Sequence, residues 1–116
     1  MTTAAVAKTF TEALKRQDYP AAEACWAEDV VSIENMDGPM QRVAGREAVH
    51  GKSVWWFGAH EIHAFEALGP YVNGDQFAVL FKVDVTNKES GQRVKMDEVG
   101  LYTVRAGKVA EERFYS

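Results

Sequence analysis

Apolar residues near the start of the chain recur at Val6, Phe10, Ala13 and Leu14, the spacing of one helical face. This period predicts an amphipathic helix that Thr2 or Thr3 can cap. Asp18-Tyr19-Pro20 ends it. Pro20 then opens a second short helix to about Trp26, because its missing N–H costs nothing in a first turn. Asp29-Val30-Val31-Ser32-Ile33-Glu34 is β-branched and reads as a strand, closed by the turn chemistry of Asn35-Met36-Asp37-Gly38-Pro39. A third helix opens at Gly45-Arg46 and runs to about Trp56 or Phe57, with Gly58 as its stop. From Glu61 the period changes to two. Residues 61–68 form a strand that Gly69-Pro70 interrupts, and Asn73-Gly74 is a hairpin signal. Phe77, Val79, Phe81, Val83 and Val85 then alternate with Ala78, Leu80, Lys82 and Asp84, and strands over 93–105 and 108–115 follow. The order α-α-β-α-β-β-β-β predicts a single α+β domain over residues 1–116. Three N-terminal helices pack on one face of a curved antiparallel sheet.

Composition narrows the function. The chain has 116 residues, 47% apolar and 26% charged, which suits one globular domain and argues against disorder or a fibrous repeat. Its charge balance, 13 − 17 = −4, supplies no basic excess for phosphate contacts, so no nucleic acid is expected. The single Cys25 excludes an intrachain disulfide and a multi-cysteine metal site, and beside Trp26 it reads as a small core residue. The apolar runs 54–57 and 77–81 fall far short of the roughly 20 residues of a membrane span. The N-terminus lacks the charged-then-apolar layout of a secretory signal. No membrane partner and a cytoplasmic location are therefore expected. Gly-x-Ser-x-Gly, the Walker loop and Gly-x-Gly-x-x-Gly are all missing.

Strand parity supplies the candidate chemistry, because alternate side chains share a face. Glu98 falls in the row Val94, Met96, Gly100, Tyr102, Val104. Glu112 falls with Ala110 and Phe114, and Glu34 with Val30 and Ser32. A carboxyl in an apolar row has its pKa raised by desolvation, the usual preparation of a general acid or base near neutral pH. The plainer alternative is that each glutamate pairs with Lys or Arg, and Arg113 stands beside Glu112 for that purpose. Val49, Lys52, Ser53 and Trp56 form one helical stripe. Facing inward, it brings Lys52 toward the acids; otherwise the Lys52 stem merely covers core. His60 and His63 are three apart, which on a strand turns them to opposite faces, so no metal site is expected. His50 reads as exposed.

Several segments in order carry a family resemblance. Ala13-Leu14-Lys15-Arg16-Gln17-Asp18, Trp26-Ala27-Glu28-Asp29-Val30-Val31-Ser32 and Gly45-Arg46-Glu47-Ala48-Val49 resemble the nuclear transport factor 2-like superfamily. Asp97-Glu98-Val99-Gly100-Leu101-Tyr102-Thr103-Val104 and Gly107-Lys108-Val109-Ala110-Glu111-Glu112-Arg113-Phe114-Tyr115 resemble its SnoaL-like branch. The resemblance implies a cone of three helices on a curved sheet, a pocket inside it, and often a dimer across the outer sheet face. It spans isomerases, cyclases, dehydratases, epoxide hydrolases and non-catalytic members. Set against the ketosteroid isomerase branch, the general-base aspartate falls on Glu34, so a carboxylate is retained. The oxyanion tyrosine falls on Phe10 and the protonated aspartic acid at or next to Gly100, so both donors of that mechanism are lost, each worth about 10² to 10³ in rate.

These readings combine into an expectation of a small-molecule pocket protein, an isomerase- or cyclase-type enzyme acting on a hydrophobic carbonyl compound. Glu34 is the expected base, Glu98 a second acid, and Tyr102 and His63 hydrogen-bond donors. Phe10, Leu14, Trp26, Val49, Lys52, Trp56, Met96, Glu112 and Phe114 are the expected lining. The expected partners are a small hydrophobic or aromatic ligand, no cofactor or metal, and a second copy covering an outer sheet face rich in Val and Phe. A non-catalytic binding or scaffold module is the rival reading. A hydrolase holding water between Glu34 and His63 is a third.

Overall fold

A computed structural model describes all residues 1–116. Helix α1 (Thr3–Lys15) begins where Thr2 accepts a hydrogen bond from the Ala5 amide at 3.1 Å, and it buries Val6, Ala7, Phe10, Thr11, Ala13 and Leu14. Helix α2 (Tyr19–Glu23) is capped by Asp18 and carries Pro20 in its first turn. It stops three residues short of the expected Trp26. The Cys25 carbonyl is drawn into the sheet, accepting from the Val109 amide at 2.8 Å, so β1 (Trp26–Ile33) starts at Trp26.

Strand β2 (Arg42–Ala44) has no counterpart in the expected order, being too short to show a period. It follows the turn predicted after Glu34 and pairs back on β1. Helix α3 (Arg46–Ala59) comes next, so only two helices precede the sheet, not three. Strands β3 (His60–Asn73), β4 (Gln76–Asn87), β5 (Arg93–Arg105) and β6 (Lys108–Tyr115) complete it. The sheet order is β2-β1-β6-β5-β4-β3. It is not wholly antiparallel as expected: β1 and β6 run parallel, because the helix and meander between them return the chain in the same direction.

Strand β3 runs through Gly69-Pro70 instead of ending there. The ladder to β4 shifts register between Leu68 and Tyr71, which lets a residue without an N–H sit in the strand. Gly69 has φ 117, and a Cβ there would lie 3.1 Å from the Ala78 carbonyl, so glycine is required. The hairpin turn sits at Gly74-Asp75, one residue later than expected, with Asn73 pairing to Gln76.

The period-2 reading of β4 holds throughout. Phe77, Val79, Phe81, Val83 and Val85 are all buried on the inner face against α1 and its neighbours. Every Phe of the sheet belongs to this side or its rim. The outer face is therefore not Phe-rich; its apolar row is Leu68, Leu80, Val99 and Tyr115, aligned across four strands. No helix is long and apolar enough to cross a membrane.

The inner face is graded along β5. Tyr102 and Val104 are buried, Glu98 and Met96 half-buried, and Val94 is 38% exposed. Helix α3 fully buries only Val49, and Lys52, Ser53, Trp56 and Phe57 are half-buried against this end of the sheet. At Gly100 a Cβ would lie 2.7 Å from the Tyr102 hydroxyl and 3.0 Å from the Phe81 ring, and both neighbours are buried and cannot yield. Gly100→Ala is expected to cost about 1–3 kcal/mol by overpacking. The thermal midpoint should fall by about 4–8 °C per kcal/mol, and an unchanged midpoint would show that the ring has room to move.

Candidate active site

Register assembles the site. Ser32 on β1 lies beside Glu112 on β6, and Glu112 lies beside Tyr102 on β5. Gly100 pairs with Phe114 and Glu98 with Phe81, so the three strands present their polar groups to one end of the inner face. Glu34 follows the end of β1, anchored by its amide donating to the Gln41 carbonyl at 2.8 Å. Lys52 arrives from α3, on the turn after Val49.

A single polar chain links these groups. The Lys52 Nζ lies 2.8 Å from Glu34 Oε1 and donates to Ser32 Oγ at 2.8 Å. Ser32 Oγ in turn donates to Glu112 Oε2 at 2.7 Å. The ammonium can only donate, so the serine lone pair is taken and its one proton is directed to Glu112. Lys52 also stands over the Phe114 ring, 5.3 Å from its centre.

Three carboxyl groups thus share one cation. Burial pushes Glu112 up to about 7, against the lowering effects of Ser32 and Lys52. Burial, reinforced by the Glu34 charge, pushes Glu98 up to about 7 as well. Glu98 takes part in none of the six ion pairs of the structure. Tyr102 is 2% exposed, and burial holds its hydroxyl well above the usual range. Phe10, Phe77 and Phe114 surround its ring and offer no acceptor. Its hydroxyl reaches back over the bare Gly100 toward the Glu98 end of the row. Two carboxyls with raised pKa, an ion-paired glutamate and a buried phenol therefore gather at one end of the inner face.

A family model described as a SnoaL-like domain matches residues 1–116. The chain belongs to the SnoaL-like domain family. It is 56% identical to a Mesorhizobium loti protein named provisionally as a SnoaL-like polyketide cyclase, with carbohydrate phosphatase in brackets. All of both chains align, with a TM-score of 0.95. A Xanthomonas campestris protein of unknown function with a cystatin-like fold shares 20% identity over 100% of this chain and 91% of the other, TM-score 0.82. A Bacillus subtilis protein named provisionally as an isomerase shares 18% over 99% and 88%, TM-score 0.76. These two likenesses show the fold. No curated protein matches the sequence.

Within this SnoaL-like domain, Glu34, Glu98, Glu112, Tyr102, Lys52 and Phe114 lie at one end of the inner face. Met96 is half-buried two residues from Glu98, and Trp56 is half-buried one turn beyond Lys52, stacked on His60 at 4.5 Å. Phe10 packs on the Tyr102 ring at 4.8 Å, behind the site. Leu14 and Val49 are buried core residues.

Two residues fall elsewhere. His63 is exposed and its Nε2 meets Thr86 Oγ1 at 2.7 Å, on the outer sheet face. The register break between Ile62 and Ala64 turns it away, while Ile62 packs against the core. It is neither a donor to this site nor a holder of water beside Glu34. Trp26 lies six residues up β1 from Ser32, at the opposite end of the sheet, where it borders a surface hollow of about 450 Å³ with Arg46, Arg105 and Lys108. Arg113 pairs with Glu111 at 3.1 Å, not with Glu112. Sequence reasoning passed over Ser32. Its signal was a hydroxyl on the same strand face as Glu34.

The raised carboxyls make stability depend on pH. Glu112 titrates at about 7 when folded and near 4.5 when exposed, so folding strengthens its proton binding. That contribution is full below pH 4.5 and is lost as pH rises through 7, on the order of 2–3 kcal/mol for this group. Urea melts should therefore show the protein losing stability from pH 5 to 8. Glu112→Gln should flatten this slope and exceed the parent stability at pH 8; a parent profile level over that range would refute the buried carboxyl.

Proposed function

We propose that this domain is a cofactor-free isomerase or cyclase acting on a hydrophobic carbonyl compound by general acid–base chemistry. The observation that carries the reading is the division of labour among the carboxyl groups. Glu34 is an ion-paired carboxylate with a quarter of its side chain exposed, while Glu98 holds a proton to about neutral pH. Two acids with environments this different take different roles. The free oxygen of Glu34 accepts the proton α to the carbonyl. The carbonyl oxygen accepts hydrogen bonds from the Tyr102 hydroxyl and protonated Glu98, which stabilise the enolate. In an isomerisation Glu34 returns the abstracted proton to the carbon skeleton and Glu98 keeps its own. In a cyclisation the alkoxide formed when the enolate carbon bonds to a second carbonyl takes the Glu98 proton, and exchange with solvent removes the proton from Glu34 and reprotonates Glu98. The cyclase name carried by the 56%-identical relative supports the same class. The phosphatase designation finds less support, because phosphoryl transfer calls for a clamp of cations and this cluster sets three carboxyls around one ammonium.

The test is enzyme-dependent deuterium uptake α to the carbonyl in a panel of ketones and β-ketoesters, followed by NMR. Glu34→Gln is expected to slow uptake by about 10²–10⁴-fold and Tyr102→Phe by about 10²-fold. Uptake that survives Glu34→Gln at full rate removes the base assignment. A parent protein with bound ligand but no uptake would favour a binding module.

We also propose a second copy of this chain as the partner of the outer sheet face. The row Leu68, Leu80, Val99 and Tyr115 is flanked by the charged row Glu66, Lys82 and Asp97, so a two-fold arrangement can bury the first and cross-pair the second. Light scattering should give twice the mass of one chain, and Leu80→Glu should halve it. A monomeric parent at high concentration rejects the interface.

A further inference from the structure

The cluster carries more than an acid and a base: it also constrains the charge of what it admits. Lys52 is the cation that acts on both Glu98 and Glu112. A lysine ammonium has three donors and no acceptor. One side of it faces Glu34 Oε1 at 2.8 Å and another Ser32 Oγ at 2.8 Å. The Phe114 ring, 5.3 Å to its centre, covers a third. The side chain is only 11% exposed, so a ligand cannot readily draw it out.

We propose that this site selects an uncharged carbonyl compound and rejects carboxylates and phosphates, because Lys52 has two donors committed and its third side covered by the Phe114 ring. The inference rests on the reading of this cluster as the ligand site. An anion entering here would meet the glutamates and would have to strip Lys52 from Glu34 or Ser32 to find a counter-charge. Discrimination by an unpaired buried charge is an effective form of rejection. A neutral carbonyl needs only donors, and protonated Glu98, half-buried and in no ion pair, supplies one without moving Lys52, with the buried Tyr102 hydroxyl behind it. The aromatic and thioether surfaces of Trp56, Phe114 and Met96 suit an apolar body attached to that carbonyl.

The rule makes Lys52 a latent anion receptor. Glu34→Gln removes one negative charge and leaves Lys52 only a neutral acceptor on that side; Ser32→Ala releases a donor from the other side. Acetophenone and benzoate are near-isosteric probes that differ in charge. Their titration at pH 6, where Glu98 holds its proton and benzoate is still an anion, can be followed by the Trp56 indole and Met96 methyl NMR signals. Acetophenone is expected to shift both signals. Benzoate is expected to bind about tenfold or more weakly, and phenyl phosphate to leave the signals in place. In Glu34→Gln, or in Ser32→Ala should the first variant not fold, the gap between acetophenone and benzoate should close by about tenfold. Equal binding of the two probes by the parent protein, or an unchanged gap in both variants, overturns the charge rule and leaves the ligand-site reading standing. Failure of every probe to move either signal overturns both.

Discussion

The site depends on one ammonium ion compensating for three buried or half-buried carboxyl groups. Lys52 bonds Glu34 directly and reaches Glu112 through Ser32, so a single charge sets the state of two acids. With one positive charge for three potential negative ones, protonation is the cheaper way for the remaining carboxyls to be buried. Glu98 and Glu112 are accordingly held near 7, where proton transfer at neutral pH is most efficient.

The sheet makes that compensation possible. The parallel contact of β1 with β6 brings Ser32 beside Glu112, and the antiparallel contact of β6 with β5 brings Glu112 beside Tyr102. These are neighbours across strands that are far apart in sequence. A Cβ at Gly100 would lie 2.7 Å from the Tyr102 hydroxyl, so one missing side chain makes room for the buried phenol beside the Glu98 end of the row. At the other end of the same face, Phe10, Phe77 and Tyr102 form the aromatic core that keeps the strands in register. Core and site are thus two ends of one surface, separated only by the gradient in exposure along β5.

Much of this was legible in the chain itself. The alternation Phe77, Val79, Phe81, Val83, Val85 stated its own buried face, since a strand's period is two and one face must leave water. The same parity placed Glu98, Glu112 and Glu34 inside. It failed for His63, where a register break reverses the facing that simple counting gives. Strand β2 and the true start of β1 were also hidden. A three-residue strand shows no period, and the end of α2 is set by a hydrogen bond to Val109, a residue remote in sequence. Ser32 lay in plain view beside Glu34, but a hydroxyl on a strand has no meaning until its partners are known.

By itself the sequence determined the α+β layout, the inward-facing acids and the aromatic core, because periodicity and desolvation act on each residue through its immediate neighbours along the chain. Only the tertiary structure decided which acid meets Lys52, which is held through Ser32 and which stays unpaired. Those outcomes depend on distances of about 2.8 Å between α3, β1 and β6, and hydrogen bonds discriminate at a scale that local pattern does not specify.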